Sequence, residues 1–239
     1  MLGALKKKRP LTAYGLFSKP EAAEKIFGGA RHVHSSNLGA HDPLVQLTES
    51  GNGLGGEFRF PWELAAEARY VDVQSAEDRH RVLKDFLHGL GSEVHRTFKD
   101  VVGTVLEELI SNAIYHGLRL ENGERKFARL QKPRLQPSEY IKVGTVAAPD
   151  GVYLRVEDSG GRLGFDEIRE AFHRCYQQGV DQIQQKECGA GLGLYMSFEQ
   201  ARHLRIDVWP GKKTVVSCWI NRKRVPNEDN FSFNYFERT

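Results

Sequence analysis

Val105–Gly117, reading VLEELISNAIYHG, is the stretch that decides how the rest of the chain is read. Glu108 and Asn112 lie four residues apart, a spacing that on an α-helix stacks two side chains on one face. Phe98, Val102, Val105, Leu109 and Ala113 recur at three- and four-residue steps around another face, as in a helix anchored to a core. A carboxylate beside a carboxamide oxygen suits a magnesium-phosphate site, because the hard ion takes oxygen ligands while keeping several waters. The carboxylate is then free to act as a base. The same residues would also serve as the solvated side of an amphipathic helix, and this segment alone leaves both readings open.

At 239 residues the chain can bury a sizeable core and suggests one large domain or one domain with an appendage. A formal net charge of +3 is too balanced to indicate nucleic acid, and the short basic runs Lys6–Arg9 and Asn221–Arg224 read as solvated ends. Cys175, Cys188 and Cys218 are scattered without CxxC spacing, so neither a disulfide framework nor a zinc site is indicated. No apolar run approaches the ~18 residues of a membrane span, and no signal-type segment opens the chain. A cytoplasmic protein is expected.

Working outward toward the N-terminus, Ser75 followed by Asp78 predicts an N-cap. The helix behind it should end near Leu90 and turn Val82, Leu83, Phe86, Leu87 and Leu90 inward. Tyr70, Val71 and Val73 suggest a strand edge. Gly51–Gly56, GNGLGG, formally matches G-x-G-x-x-G, but the extended Phe58-Arg59-Phe60-Pro61 follows where a helix should open, so a linker and a domain boundary are expected there. Before it, Thr12–Phe17, a helix entered at Pro20, and Arg31–Ser35 outline a strand–helix–strand fragment. Its Ser18-Lys19-Pro20 turn resembles the Lys-Pro end of a receiver domain, without that family's paired acids. His32-Val33-His34 lacks the further ligands zinc would need.

Working toward the C-terminus, the second helix should run from Arg96 to His116 and close on Gly117 in a left-handed cap. The polar stretch 119–139 reads as a loop. Ile141–Val146 and Val152–Glu157 predict a hairpin around Asp150-Gly151 that runs into Asp158-Ser159-Gly160-Gly161. A carboxylate at a strand end beside glycines can accept from an exocyclic amine while backbone passes close to a flat ring. A simple Asp-Ser-Gly turn would read the same way. After a helix expected over Asp166–Gln178 and a Gln-rich stretch, Gly189-Ala190-Gly191-Leu192-Gly193 places glycines at every second position, so amides can converge on phosphate oxygens. The helix expected from Leu192 adds its positive end. Leu204–Trp209 and Thr214–Ile220 read as strands joined at Pro210–Lys213, and an aromatic tail with Phe231, Phe233, Tyr235 and Phe236 follows.

Glu108-x-x-x-Asn112, Asp158-x-Gly160 and Gly189-x-Gly191-x-Gly193-Leu194, in that order, together resemble the boxes of the GHKL (Bergerat-fold) ATPases: gyrase-type ATPases, Hsp90, histidine kinases and MutL. The string Glu108 to Asn112-Ala113, then His116-Gly117, is most similar to the anti-sigma-factor serine kinases, and Gly211-Lys-Lys-Thr214 resembles the Gly-x-x-Thr ending of the same domain. The resemblance covers about residues 75–220. It implies a two-layer α/β (α+β) sandwich with a mixed sheet, giving an appendage and linker over 1–56, an ATP-binding domain over 57–221 and a tail over 222–239.

By matching position the resemblance makes Glu108 the base and Asn112 the magnesium ligand. Asp158 accepts from the adenine amine and Gly160 borders the ring. Gly189, Gly191, Leu192 and Gly193 wrap the triphosphate, with Lys186 as a cation on the 161–189 lid and Thr214 closing the site. The box departs from the family where Arg162 stands in place of its second glycine, with Gly161 and Gly164 nearby. The implied activity is an ATP- and Mg2+-dependent protein kinase, serine-directed. It would act on a protein partner (sigma factor, anti-sigma antagonist or other signalling protein), with a homodimer in view and without membrane or direct nucleic-acid contact. The competing readings are a histidine-kinase catalytic domain lacking its own acceptor, since His41-Asp42 is followed by Pro43, and a non-catalytic module whose lid shape a partner reads.

Overall fold

The computed structural model describes residues 32–36, 67–120, 122–124, 126–128, 131–164, 167–168, 192–201, 203–222 and 232–237. Among the described residues the helices α1 (Ala76–Gly89), α2 (Arg96–Asn112) and α3 (Leu192–Gln200) pack with one sheet of seven strands. The strands are β1 (His32–Ser36), β2 (Arg69–Asp72), β3 (Ile141–Ala148), β4 (Gly151–Asp158), β5 (His203–Trp209), β6 (Lys213–Asn221) and β7 (Ser232–Glu237). Their order is β1-β7-β5-β6-β4-β3-β2. From β5 to β2 the sheet is antiparallel throughout, β7 runs parallel to β5, and β1 pairs antiparallel with β7. The architecture is the mixed-sheet α/β sandwich expected, and β1 and β7 extend it from outside the 57–221 segment.

Local chemistry accounts for the elements. Ser75 caps α1 by accepting from the Asp78 amide at 3.1 Å, and Val82 and Leu90 are buried while Leu83, Phe86 and Leu87 pack against the core. On α2 the apolar stripe is wider than the five expected positions, because Leu106 and Ile110 are also fully buried. Each such side chain contributes on the order of 1.5–3 kcal/mol, which fixes how α2 is rotated about its axis. The core is completed by Val152, Leu154 and Val156 of β4, Cys218 and Ile220 of β6, and Leu204, Ile206 and Val208 of β5.

Two local expectations are corrected. The hairpin turn is Pro149-Asp150, not Asp150-Gly151: Gly151 already pairs with Ala148, where a Cβ would overlap the Ile220 carbonyl. The second helix does not reach its end as an α-helix capped by a left-handed glycine. Its last turn, Ala113–Gly117, widens into a π-helix, and Gly117 is absent from the residues with positive φ. Such turns concentrate where a side chain or functional group needs room. Among the described residues no helix is long and apolar enough to cross a membrane. The strand expected at Thr12–Phe17, the helix after Pro20, the Gly51–Gly56 linker and all of Asp166–Gln178 except Glu167 and Ile168 lie outside the described residues.

Candidate functional site

The register of β4 with β6 sets Asp158 directly opposite Thr214 and, across β3, opposite Ile141. Paired residues share a face, and Val156, Val216 and Ile206 of that face pack into the helix-side core. The carboxylate and the hydroxyl therefore stand side by side under the helices at the end of their strands. Asp158 is only 5% exposed and Thr214 only 1%. The Gly160 amide donates to Asp158 Oδ1 at 2.8 Å. Burial pushes the Asp158 carboxyl up to about 7, a rise that the Gly160 and Gly161 amides oppose and the neighbouring Glu157 charge reinforces. Thr214 Oγ1 is buried and has no hydrogen-bond partner among the described residues, which costs free energy unless a ligand supplies one.

Glycines make the space around this pair. A Cβ at Gly117 would lie 2.7 Å from the Asp158 Cγ, and one at Gly160 would overlap the Gly117 carbonyl. The widened end of α2 thus touches the strand-end carboxylate through two residues without side chains. Gly161 takes the left-handed conformation, φ +58°, and its carbonyl accepts from the Gly211 amide at 3.0 Å, docking the segment after β4 onto the β5–β6 turn. In this chain Gly161 provides the backbone freedom that the resemblance expects two residues after Gly160, where Arg162 stands exposed.

Glu108 and Asn112 are half-buried, one turn apart on α2. Glu108 lies against α3: a Cβ on Gly193 would overlap its carboxylate. The buried Ser197 hydroxyl donates to the Gly193 carbonyl at 2.9 Å, one turn along α3. The structure thus brings Gly117, Asp158, Gly160 and Thr214 together at the strand ends and Glu108 with Gly193 between two helices. Leu192 begins α3. Lys186, Gly189 and Gly191 lie outside the described residues.

Nothing local in the sequence marks Glu157, Tyr140 or Lys213 as functional. Glu157 faces away from the helices, where it accepts from Arg155 at 2.8 Å, from the Tyr140 hydroxyl at 3.1 Å and from Lys213 Nζ at 3.4 Å. Burial raises the Glu157 carboxyl, but Arg155, Lys213 and Tyr140 together outweigh it and hold it below its usual range. Tyr140 is pushed up to about 12 by burial and by the Glu157 charge it faces. Alternation along Val156-Glu157-Asp158 could have shown that Glu157 and Asp158 face opposite ways, but not which residues Glu157 meets.

The side chains fit a purine nucleotide: a carboxylate acceptor and a buried hydroxyl beside backbone with no Cβ, and a second carboxylate with a carboxamide on the helix whose last turn reaches Asp158 through Gly117. The family model described as histidine kinase-, DNA gyrase B-, and HSP90-like ATPase matches residues 98–224. No curated protein matches the chain.

Proposed function

The chain belongs to the histidine kinase-, DNA gyrase B-, and HSP90-like ATPases, a family whose shared function is ATP binding, and from that premise we propose a magnesium-dependent regulatory protein kinase of the anti-sigma-factor, serine-directed sort. The observation that carries the nucleotide site is the cross-strand pair Asp158–Thr214, one member a buried acceptor and the other a buried hydroxyl with no partner among the described residues. Asp158 would take the exocyclic amine of adenine, Thr214 would complete the edge contact, and the bare backbone at Gly117 and Gly160 would leave room for the ring. Asn112 would hold the magnesium through its carboxamide oxygen. When bound, ATP would supply the transferable phosphoryl group, and magnesium would offset its charge.

Glu108 would accept the proton of the attacking hydroxyl. Its carboxylate is held against Gly193, so packing of the two helices helps set its position. Phosphoryl transfer asks the protein mainly to position groups and offset charge, which a carboxylate, a carboxamide and backbone amides can do. The serine-directed subtype is supported by the string from Glu108 through Asn112-Ala113 to His116-Gly117. Regulation would follow from phosphorylating a signalling protein of the sigma or anti-sigma-antagonist class, or from binding it in a nucleotide-dependent way.

Incubation with γ-labelled ATP and magnesium tests this reading. Label on serine of a co-purified partner is expected. Label only in free phosphate would make the chain an ATPase, label on histidine of a second chain a histidine kinase, and retention of intact ATP a nucleotide-gated binding module.

A further inference from the structure

Both ladders that bring the site together stop at the residue that matters. Asp158–Thr214 is the last pair between β4 and β6, and Ile141–Asp158 is the last between β3 and β4. Ladder ends open at low free-energy cost, yet a base edge can be read only if acceptor and hydroxyl keep a fixed separation. One residue back, on the far face of the sheet, the Glu157 carboxylate gathers donors from all three strands. They are Tyr140 just before β3, Arg155 within β4 and Lys213 at the start of β6. Tyr140 and Ser159 add two bonds at 3.1 Å, amide to hydroxyl one way and amide to carbonyl the other, and Lys213 Nζ lies 4.6 Å from the centroid of the Trp209 ring.

We propose that Glu157 is a positioning residue for base recognition, tying the ends of β3, β4 and β6 from behind so that Asp158 and Thr214 present one rigid edge to adenine. The proposal rests on the reading of that pair as the base-binding site. An isolated exposed ion pair would fix little. Here three donors converge on one carboxylate that is 13% exposed, at the point where the β3–β4 and β4–β6 ladders end while the start of β6 stays paired with β5. Glu157 has a second effect that separates positioning from bulk stability. Its charge raises the Asp158 carboxyl, and Tyr140, raised by both charges, is neutral at ordinary pH. Removing the charge should make Asp158 easier to ionise, whereas loosening the tie alone should not.

Calorimetric titration of the full chain with ATP and with inorganic triphosphate, over pH 5.5–8.5, tests this for Glu157→Gln and Tyr140→Phe. Both variants are expected to lose about three- to tenfold in ATP affinity, the worth of one hydrogen bond, with triphosphate affinity held within about twofold. The pH midpoint for ATP should fall in Glu157→Gln and should not fall in Tyr140→Phe, which keeps the carboxylate. Should Glu157→Gln lose its cooperative thermal transition, Tyr140→Phe carries the affinity comparison by itself. ATP preference retained in both variants, or equal losses for ATP and triphosphate, overturns the proposal while leaving the base site standing. A wild-type chain with no preference for ATP over triphosphate overturns the base site, and the positioning role with it.

Discussion

Gly117 and Asp158, on different elements and 41 residues apart in sequence, are in direct contact, and the contact exists only because Gly117 has no side chain: a Cβ there would come within 2.7–2.9 Å of the carboxylate's carbon and both oxygens. Gly117→Ala should therefore displace Asp158 without dismantling α2, whose core anchors from Val102 to Ile114 are untouched. Overpacking of this kind costs about 1–3 kcal/mol. The expected result is a loss of roughly tenfold or more in ATP affinity with unchanged helical circular dichroism. Wild-type affinity in this variant would show that Asp158 has no fixed place in the site.

Gly193 and Glu108 stand in the same relation between α3 and α2. Gly193→Ala keeps the backbone amide, so phosphate contacts are retained, but the methyl group needs the space the Glu108 carboxylate fills. Turnover should fall toward the level of Glu108→Gln, a loss on the order of 10²–10⁴ for a displaced general base, with ATP affinity much less altered. Single-turnover kinetics beside binding separates the two. Undiminished turnover in both variants would remove Glu108 from the chemistry.

Thr214 offers a test in which stability and binding move in opposite directions. Its hydroxyl is buried with no partner among the described residues, and an unsatisfied buried polar group costs about 1–3 kcal/mol. Thr214→Val removes that cost at nearly constant shape. The free protein should melt higher, while ATP affinity should drop by roughly three- to tenfold, the worth of one hydrogen bond. A variant that melts lower and binds equally well would make Thr214 a structural residue.

What could be read in the sequence was what is local or periodic. The Ser75–Asp78 cap, the apolar stripe of α2, the β3–β4 hairpin and the start of α3 at Leu192 each rest on neighbours within a turn or a strand. Asp158 and Thr214 were each singled out, but that they face one another depends on a register set by side chains along the whole of β4 and β6. Gly117 reads as a helix stop because glycines usually are. Its actual constraint comes from Asp158 on a distant strand, which no helix-end rule can supply. Glu157 gives no local signal, since its donors sit at positions 140, 155 and 213 and converge only once three strands have paired.

The buried position of Asp158 sets a pH dependence whose sign can be worked out. Burial lifts its carboxyl to about 7 in the unliganded chain, whereas the adenine amine is best met by the ionised form, which is the stronger acceptor. Below pH 7 each unit should cost up to about tenfold in ATP affinity, with a proton released on binding, and above pH 8 the affinity should level off. Asp158→Asn should bind more weakly at pH 8 and show none of this slope. Stability should run the other way. A carboxyl whose folded value lies above its unfolded one binds its proton more tightly when folded, so its contribution is fully present below about pH 4 and is lost as pH rises through about 7. The wild-type chain should therefore lose thermal stability relative to Asp158→Asn across that window in the absence of nucleotide. Saturating ATP should narrow the difference at the alkaline end, because it binds the folded, ionised state alone. Parallel pH profiles for the two proteins, in both binding and melting, would mean that Asp158 stays ionised throughout and that its burial has been offset by contacts other than the glycine amides.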